Sequence, residues 1–125
     1  MLPYVGLGGL LGTLARFGLQ GWLQTATPGD GRFPIGTLGV NVLGSLALGF
    51  LMRYTTGSAL ASPEVRAGLT IGFCGAFTTM STFGYESLQL LGDGQFGRAA
   101  AYMGLTVGGT LLAVLVGAGL AERLL

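Results

Sequence analysis

Long runs without a formal charge dominate the sequence. Residues 33–52, 67–85 and 99–121 are 20, 19 and 23 residues long and carry no Asp, Glu, Lys or Arg. A further apolar stretch, from residue 2 to about residue 23, is interrupted only by Arg16. A helix needs about 20 mostly apolar residues to cross the hydrocarbon of a bilayer. A chain of 125 residues therefore has room for four such spans, at about 2–24, 34–53, 66–91 and 98–121, in a single transmembrane domain. The connectors carry the breakers: Thr27-Pro28-Gly29-Asp30-Gly31, Thr56-Gly57-Ser58 with Pro63, and Gly92-Asp93-Gly94. Charged residues make up 9% of the chain, against roughly 25% in soluble domains. Lipid is the expected solvent.

Barrels also span membranes, but their strands alternate apolar and polar residues. The continuous run Leu46-Ala47-Leu48-Gly49-Phe50-Leu51-Met52 does not, so the expected fold is all-α. Glycine occupies 25 positions without a three-residue period, which excludes a collagen helix. Spacings of the small-xxx-small type, at Gly8/Gly12, Gly68/Gly72 and Gly104/Gly108, suit close packing of membrane helices.

Several functions drop out on composition. A net charge of +1 offers no basic patch for nucleic acid. Histidine is absent, the five carboxylates are scattered, and Cys74, the only cysteine, has no activating base nearby in sequence. No catalytic set can be assembled, and an enzyme is not expected. No basic residue precedes Arg16, so the N-terminus lacks the basic region of a cleavable signal, and the first helix is expected to be retained.

Orientation normally follows an excess of Lys and Arg on the cytoplasmic side. Four spans place Arg53, Arg66 and Arg123 on one side, and Arg32 and Arg98 on the other. Three against two is nearly a tie. It suits either a fixed orientation set by a small bias or a chain that inserts both ways and pairs with an inverted copy of itself.

The third span is unlike an ordinary helix. Gly75 precedes four hydroxyl residues, Thr78, Thr79, Ser81 and Thr82, at mid-span. A break over residues 75–79 would free carbonyls for a cation and N–H groups for an anion. In an unbroken helix the same hydroxyls would instead bond to their own i−4 carbonyls. Met80 and Phe83, three apart, are expected to share a helix face. Asn41 is the one amide of the second span, and Arg16 and Glu86 are the charges placed within spans. Such groups are paired or functional by default.

Gly72-Phe73-Cys74-Gly75-Ala76-Phe77-Thr78-Thr79-Met80-Ser81-Thr82-Phe83 resembles the third-helix signature of the fluoride-channel (Fluc/CrcB) family. Gly8-Gly9-Leu10-Leu11-Gly12-Thr13-Leu14-Ala15-Arg16 and Pro34-Ile35-Gly36-Thr37-Leu38-Gly39-Val40-Asn41 are similar to that family's first- and second-helix motifs. The fourth span is matched mainly by Tyr102 and Thr110. The resemblance implies a dual-topology antiparallel homodimer in the inner membrane, exporting fluoride passively through two pores. It implies a central structural sodium (Na+) held by main-chain carbonyls of Gly75 and Thr78 from both subunits. It assigns Asn41, Met80, Phe83, Ser81, Thr82, Tyr102 and Thr110 to the fluoride pore, and Arg16 to a vestibule. Met80 departs from the pattern, standing where the family usually has the first of two phenylalanines. The alternative reading is a small multidrug-type transporter, also four-helical and often of dual topology. Cation transport of that kind calls for a carboxylate in the first span, where this chain carries Arg16.

Overall fold

The computed structural model describes residues 1–59 and 61–125. Leu60, in the expected connector between the second and third spans, lies outside the described residues. The described residues are helical with no strand: α1 (Leu2–Ala26), α2 (Ile35–Gly57), α3 (Pro63–Ala67), a π-helical segment (Gly68–Cys74), α4 (Gly75–Phe77), α5 (Met80–Gly92) and α6 (Phe96–Leu124). From α3 to α4 the helical segments follow one another without a gap, so the chain runs through the bundle in four helical passes, the third interrupted. The helices run a few residues beyond the expected spans. Two of them, α2 and α6, are long and apolar enough to cross a membrane by length and composition.

Local chemistry explains the helix starts. Pro3 occupies the first turn of α1, where its missing N–H costs nothing. Ser62 caps α3 through its hydroxyl, which accepts the Val65 N–H at 3.2 Å, with Pro63 and Glu64 following. Gly29, Gly31 and Gly94 adopt positive φ in the connectors, a backbone that only glycine takes without strain.

The α2–α6 contact is the most extensive in the chain. There Gly49 lies against the Val114 carbonyl and Gly117 against the Leu46 carbonyl, and a Cβ at either position would overlap backbone. Gly8, Gly12 and Gly72 play the same part between α1 and the π-helical segment, as their spacing led us to expect. The pair Gly104/Gly108 does not: both face open space within this chain. The buried apolar cluster is small: Phe83, Leu90, Ala99 and Tyr102, with Phe33, Leu38 and Met103 packed around it. Large apolar side chains instead cover the outside, among them Leu7, Leu14 and Phe17 on α1 and Leu111 and Leu115 on α6. That inversion is what a lipid environment requires.

Candidate functional site

The site is built around an interruption in the third pass. The sequence suggests a break somewhere over residues 75–79; the structure confines it to two residues. Thr78 (φ −94°, ψ 158°) and Thr79 (φ −150°, ψ 118°) are extended, while Gly75 stays helical. Backbone groups at a half-buried break need partners, and neighbouring helices supply them for the Ala76 carbonyl and for both backbone groups of Thr79.

Asn41, on α2 and 6% exposed, clasps Thr79 from both sides. Its Oδ1 accepts the Thr79 N–H at 2.7 Å, and its Nδ2–H donates to the Thr79 carbonyl at 3.1 Å. Three residues along the same helix face, Gly44 leaves the room that Thr78 and Phe77 occupy. From α1, Arg16 Nε–H donates to the Ala76 carbonyl at 3.1 Å. Thr79 then caps α5: its hydroxyl accepts the Thr82 N–H at 3.4 Å and donates to Thr82 Oγ1 at 3.0 Å. Two carbonyls lose their helical donors in consequence. Thr79 N–H, which an unbroken helix gives to Gly75, goes to Asn41. Thr82 N–H, which it gives to Thr78, goes to the Thr79 hydroxyl.

A second group of candidates meets one turn beyond the break. Phe83 packs against Tyr102 with ring centroids 5.1 Å apart, and Phe33 meets Tyr102 edge-on at 5.8 Å. Tyr102 O–H donates to Glu86 Oε1 at 3.0 Å, so Glu86 is paired, as a carboxylate within a span should be. Around the end that carries residues 27–34 and 93–95 lies a cleft of about 570 Å³, lined by Gln20, Gln24, Arg32, Glu86, Gln89 and Asp93 among others. Polar groups there come from α1, its following connector and α5.

The structure does not gather every sequence-predicted residue. Met80 is 77% exposed and Ser81 also faces outward, whereas Phe83 is 8% exposed. The expected shared face of Met80 and Phe83 is therefore not a shared environment: Met80 starts α5 and points away from the bundle, and Phe83 points into it. Gly75 is on the outside too. Thr78 and Thr110 follow the unbroken-helix pattern, donating to the i−4 carbonyls of Cys74 at 3.0 Å and Thr106 at 2.6 Å. Arg16, assigned to a vestibule by resemblance, lies half-buried on the break, with Nη1–H also donating to Gln20 Oε1 at 3.4 Å.

Sequence reasoning passed over three polar residues. Gln20 Nε2–H donates to Thr37 Oγ1 at 2.9 Å; Gln20 stands one helical turn after Arg16, a spacing that would have flagged it. Thr37 is 1% exposed, in the motif that ends at Asn41. Thr106 is 7% exposed, and its hydroxyl oxygen has no partner among the described residues. It falls midway between Tyr102 and Thr110 at spacings of four, one stripe of hydroxyls on α6.

An apolar exterior, an interior lined by hydroxyl and amide groups, and a broken helix fixed by its neighbours define an integral membrane protein built around a polar interior. The comparisons place it more closely. Residues 3–118 match the family described as CrcB-like protein, Camphor Resistance (CrcB), and the chain belongs to that family. It is 48% identical over 117 residues to the "Fluoride-specific ion channel FluC" of Nitratidesulfovibrio vulgaris, covering 92% of this chain and 93% of the relative. Relatives of the same name from Syntrophotalea carbinolica (45% over 120 residues, 95% and 94% covered) and Stutzerimonas stutzeri (44% over 118 residues, 94% of each) are similarly close.

Proposed function

We propose that the protein is a fluoride-specific ion channel of the cell (inner) membrane, lowering cytoplasmic fluoride by passive export; it is not an enzyme. The relatives it matches over nearly their whole length are named fluoride-specific ion channels. The observation in this chain that carries the reading is the break at Thr78–Thr79, held by Asn41 beside the buried Phe83–Tyr102 pair. Fluoride is small and strongly hydrated, so a dry path must replace lost water with donors. The N–H groups of Met80 and Ser81 at the start of α5, the hydroxyls of Ser81, Thr82 and Thr106, the second Nδ2–H of Asn41 and the Phe83 ring edge are of that kind, with Tyr102 held beside them by Glu86. None is a fixed cation, so the ion is also able to leave.

The working unit in this reading is an antiparallel homodimer. Supporting it are the near-balanced arginines and an outward face that carries Gly75, Ile71 and Met80 beside the break. A structural sodium at the dimer centre fits the chemistry of the same face. Gly75 and Thr78 offer carbonyls whose usual donors are diverted, and hard cations take oxygen ligands. Two carbonyls are too few for one chain, whereas an inverted copy would double them. Bound there, the ion would balance the dipoles of carbonyls that face each other.

Fluoride efflux from liposomes containing the purified protein tests the assignment. Rapid fluoride loss with no matching chloride loss is expected. Liposomes that hold fluoride as tightly as protein-free ones would overturn it.

A further inference from the structure

Arg16 is the one cation placed well inside a span, and no salt bridge among the described residues pairs it with a carboxylate. The shorter of its two hydrogen bonds goes to main chain: Nε–H donates to the Ala76 carbonyl at 3.1 Å, while Nη1–H reaches Gln20 Oε1 at 3.4 Å. The register of α1 on the third pass delivers it there. Gly8 lies against Gly68 and Phe73, Gly12 against Phe73, and Arg16, one turn on, meets Ala76. The two segments run in the same direction, and glycine at the two earlier turns brings them close enough for a side chain to find backbone at the third.

The broken end exposes the carbonyls of residues 75–78, whose helical donors would be the N–H groups of residues 79–82. Extended backbone at Thr78 and Thr79 takes those donors away. Thr79 N–H goes to Asn41 and Thr82 N–H to the Thr79 hydroxyl. The N–H groups of Met80 and Ser81, at the start of α5, have no acceptor among the described residues. Among those residues, the Ala76 carbonyl alone of the exposed set receives a side-chain donor, and that donor is Arg16. A guanidinium stays protonated and can only donate, and a cation is favoured where a helix ends and its carbonyls point outward.

We infer that Arg16 is a positioning residue for conduction: its Nε–H takes, at the Ala76 carbonyl, the place of the Met80 N–H and so keeps that N–H free to face the ion. Without Arg16 the carbonyl would draw Met80 back into a helical bond, and the break would lose one of its two uncommitted donors. Arg16 thus acts through a hydrogen bond at the break, and not as a charge that gathers anions in a vestibule. The inference rests on the channel reading above, since conduction is what the free N–H serves.

Three substitutions separate the hydrogen bond from the charge. Glutamine carries Nε2 as many bonds from Cα as arginine carries Nε, so Arg16→Gln keeps a donor in place and removes the charge. Arg16→Lys keeps the charge and puts a methylene where the donor was. Arg16→Met matches the length and keeps neither. Fluoride efflux is normalised to folded protein in the liposomes. Arg16→Met and Arg16→Lys are expected to lower flux about tenfold or more, the effect of one hydrogen bond, and Arg16→Gln to stay within about threefold of wild type. The inference stands if Arg16→Gln conducts at least about threefold faster than Arg16→Lys; any other ranking of these two overturns it, as does wild-type flux through Arg16→Met. Should Arg16→Met fail to fold, the first two variants decide alone.

The chain has four methionines, which allows a readout independent of transport. Protein labelled with isotopic nitrogen in methionine alone gives few amide signals in a magnetic-resonance spectrum, and loss of one in Met80→Leu identifies Met80. In detergent without fluoride, the Met80 amide proton should move downfield in Arg16→Lys, as it bonds to Ala76, and keep its place in Arg16→Gln. A signal that Arg16→Lys leaves unmoved counts against the inference even if wild-type protein moves no fluoride. Wild-type liposomes that hold fluoride would overturn the channel reading and leave this signal to decide what Arg16 does at the break.

Discussion

Asn41 commits both ends of its amide to one residue, accepting the Thr79 N–H and donating to the Thr79 carbonyl. The side chain thus replaces, at a single point, the partner that a neighbouring strand would offer. Asn41→Leu keeps the volume and strands both groups. It should lower unfolding stability in detergent by about 1–3 kcal/mol, the cost of unsatisfied buried groups, and should abolish fluoride efflux. Unchanged denaturation and flux would show that Thr79 finds other partners. Phe83 and Met80 separate in the same way. Phe83 is packed on Tyr102, so Phe83→Ile should both loosen that contact and suppress flux strongly. Met80 is largely exposed in the single chain, so Met80→Ala should do less harm to flux, and Met80→Phe should still conduct. If Met80→Ala promotes dissociation on dilution, measured by light scattering, the side chain is covered by a second copy.

The α1 contact with the π-helical segment depends on absent side chains. Gly8, Gly12 and Gly72 bring backbone against backbone there, and the wider π turn changes which residues of 68–74 face α1. Gly12→Ala should destabilise the protein by about 1–3 kcal/mol through overpacking, whereas Gly108→Ala meets no atom of its own chain. Thermal unfolding of the two variants compares them directly, and equal losses would mean that Gly108 also packs against something. At the other end of α1 the connector is tethered to α6, where Arg98 Nη1–H donates to Asp30 Oδ2 at 2.9 Å. The Arg32 backbone N–H, and then Arg98, hold the Asp30 carboxyl below its usual value of 3.8. With the folded value depressed, the tether contributes fully above pH 3.8 and is lost as pH falls through the lowered value. Protease cleavage of the 27–34 connector should therefore stay constant between pH 5 and 8 on the order of that reasoning, and Asp30→Asn should raise it at neutral pH. Cleavage that Asp30→Asn leaves unchanged would remove the tether from the account.

For the molecule as a whole, the antiparallel dimer proposed above, which the near-balanced arginines allow, requires insertion in both orientations, so reporters fused to the C-terminus should label both sides of the membrane. Labelling of one side only would exclude the antiparallel dimer, and two lysines added to one connector should force a single orientation. The positions of the helices could be read from residues because charges and breakers act locally. Arg32, Arg53, Arg66 and Arg98 fall near helix ends as their absence from the apolar runs suggested. The π-helical segment could not, since nothing in Gly68-Leu69-Thr70-Ile71 distinguishes it from an α-helix, and its close contacts are with α1, about sixty residues earlier in the sequence. Hydrogen-bond partners were hidden for a related reason. Asn41 stands 38 residues from Thr79, Arg16 stands 60 from Ala76, and no local pattern links them. Those two separations share a direction, however: both helpers precede the break in the chain. A ribosome makes α1 and α2 first, so the receptors for residues 76 and 79 already exist when the third pass enters the bilayer. Had the break been satisfied from α6, its backbone would have met lipid bare until the last helix was finished.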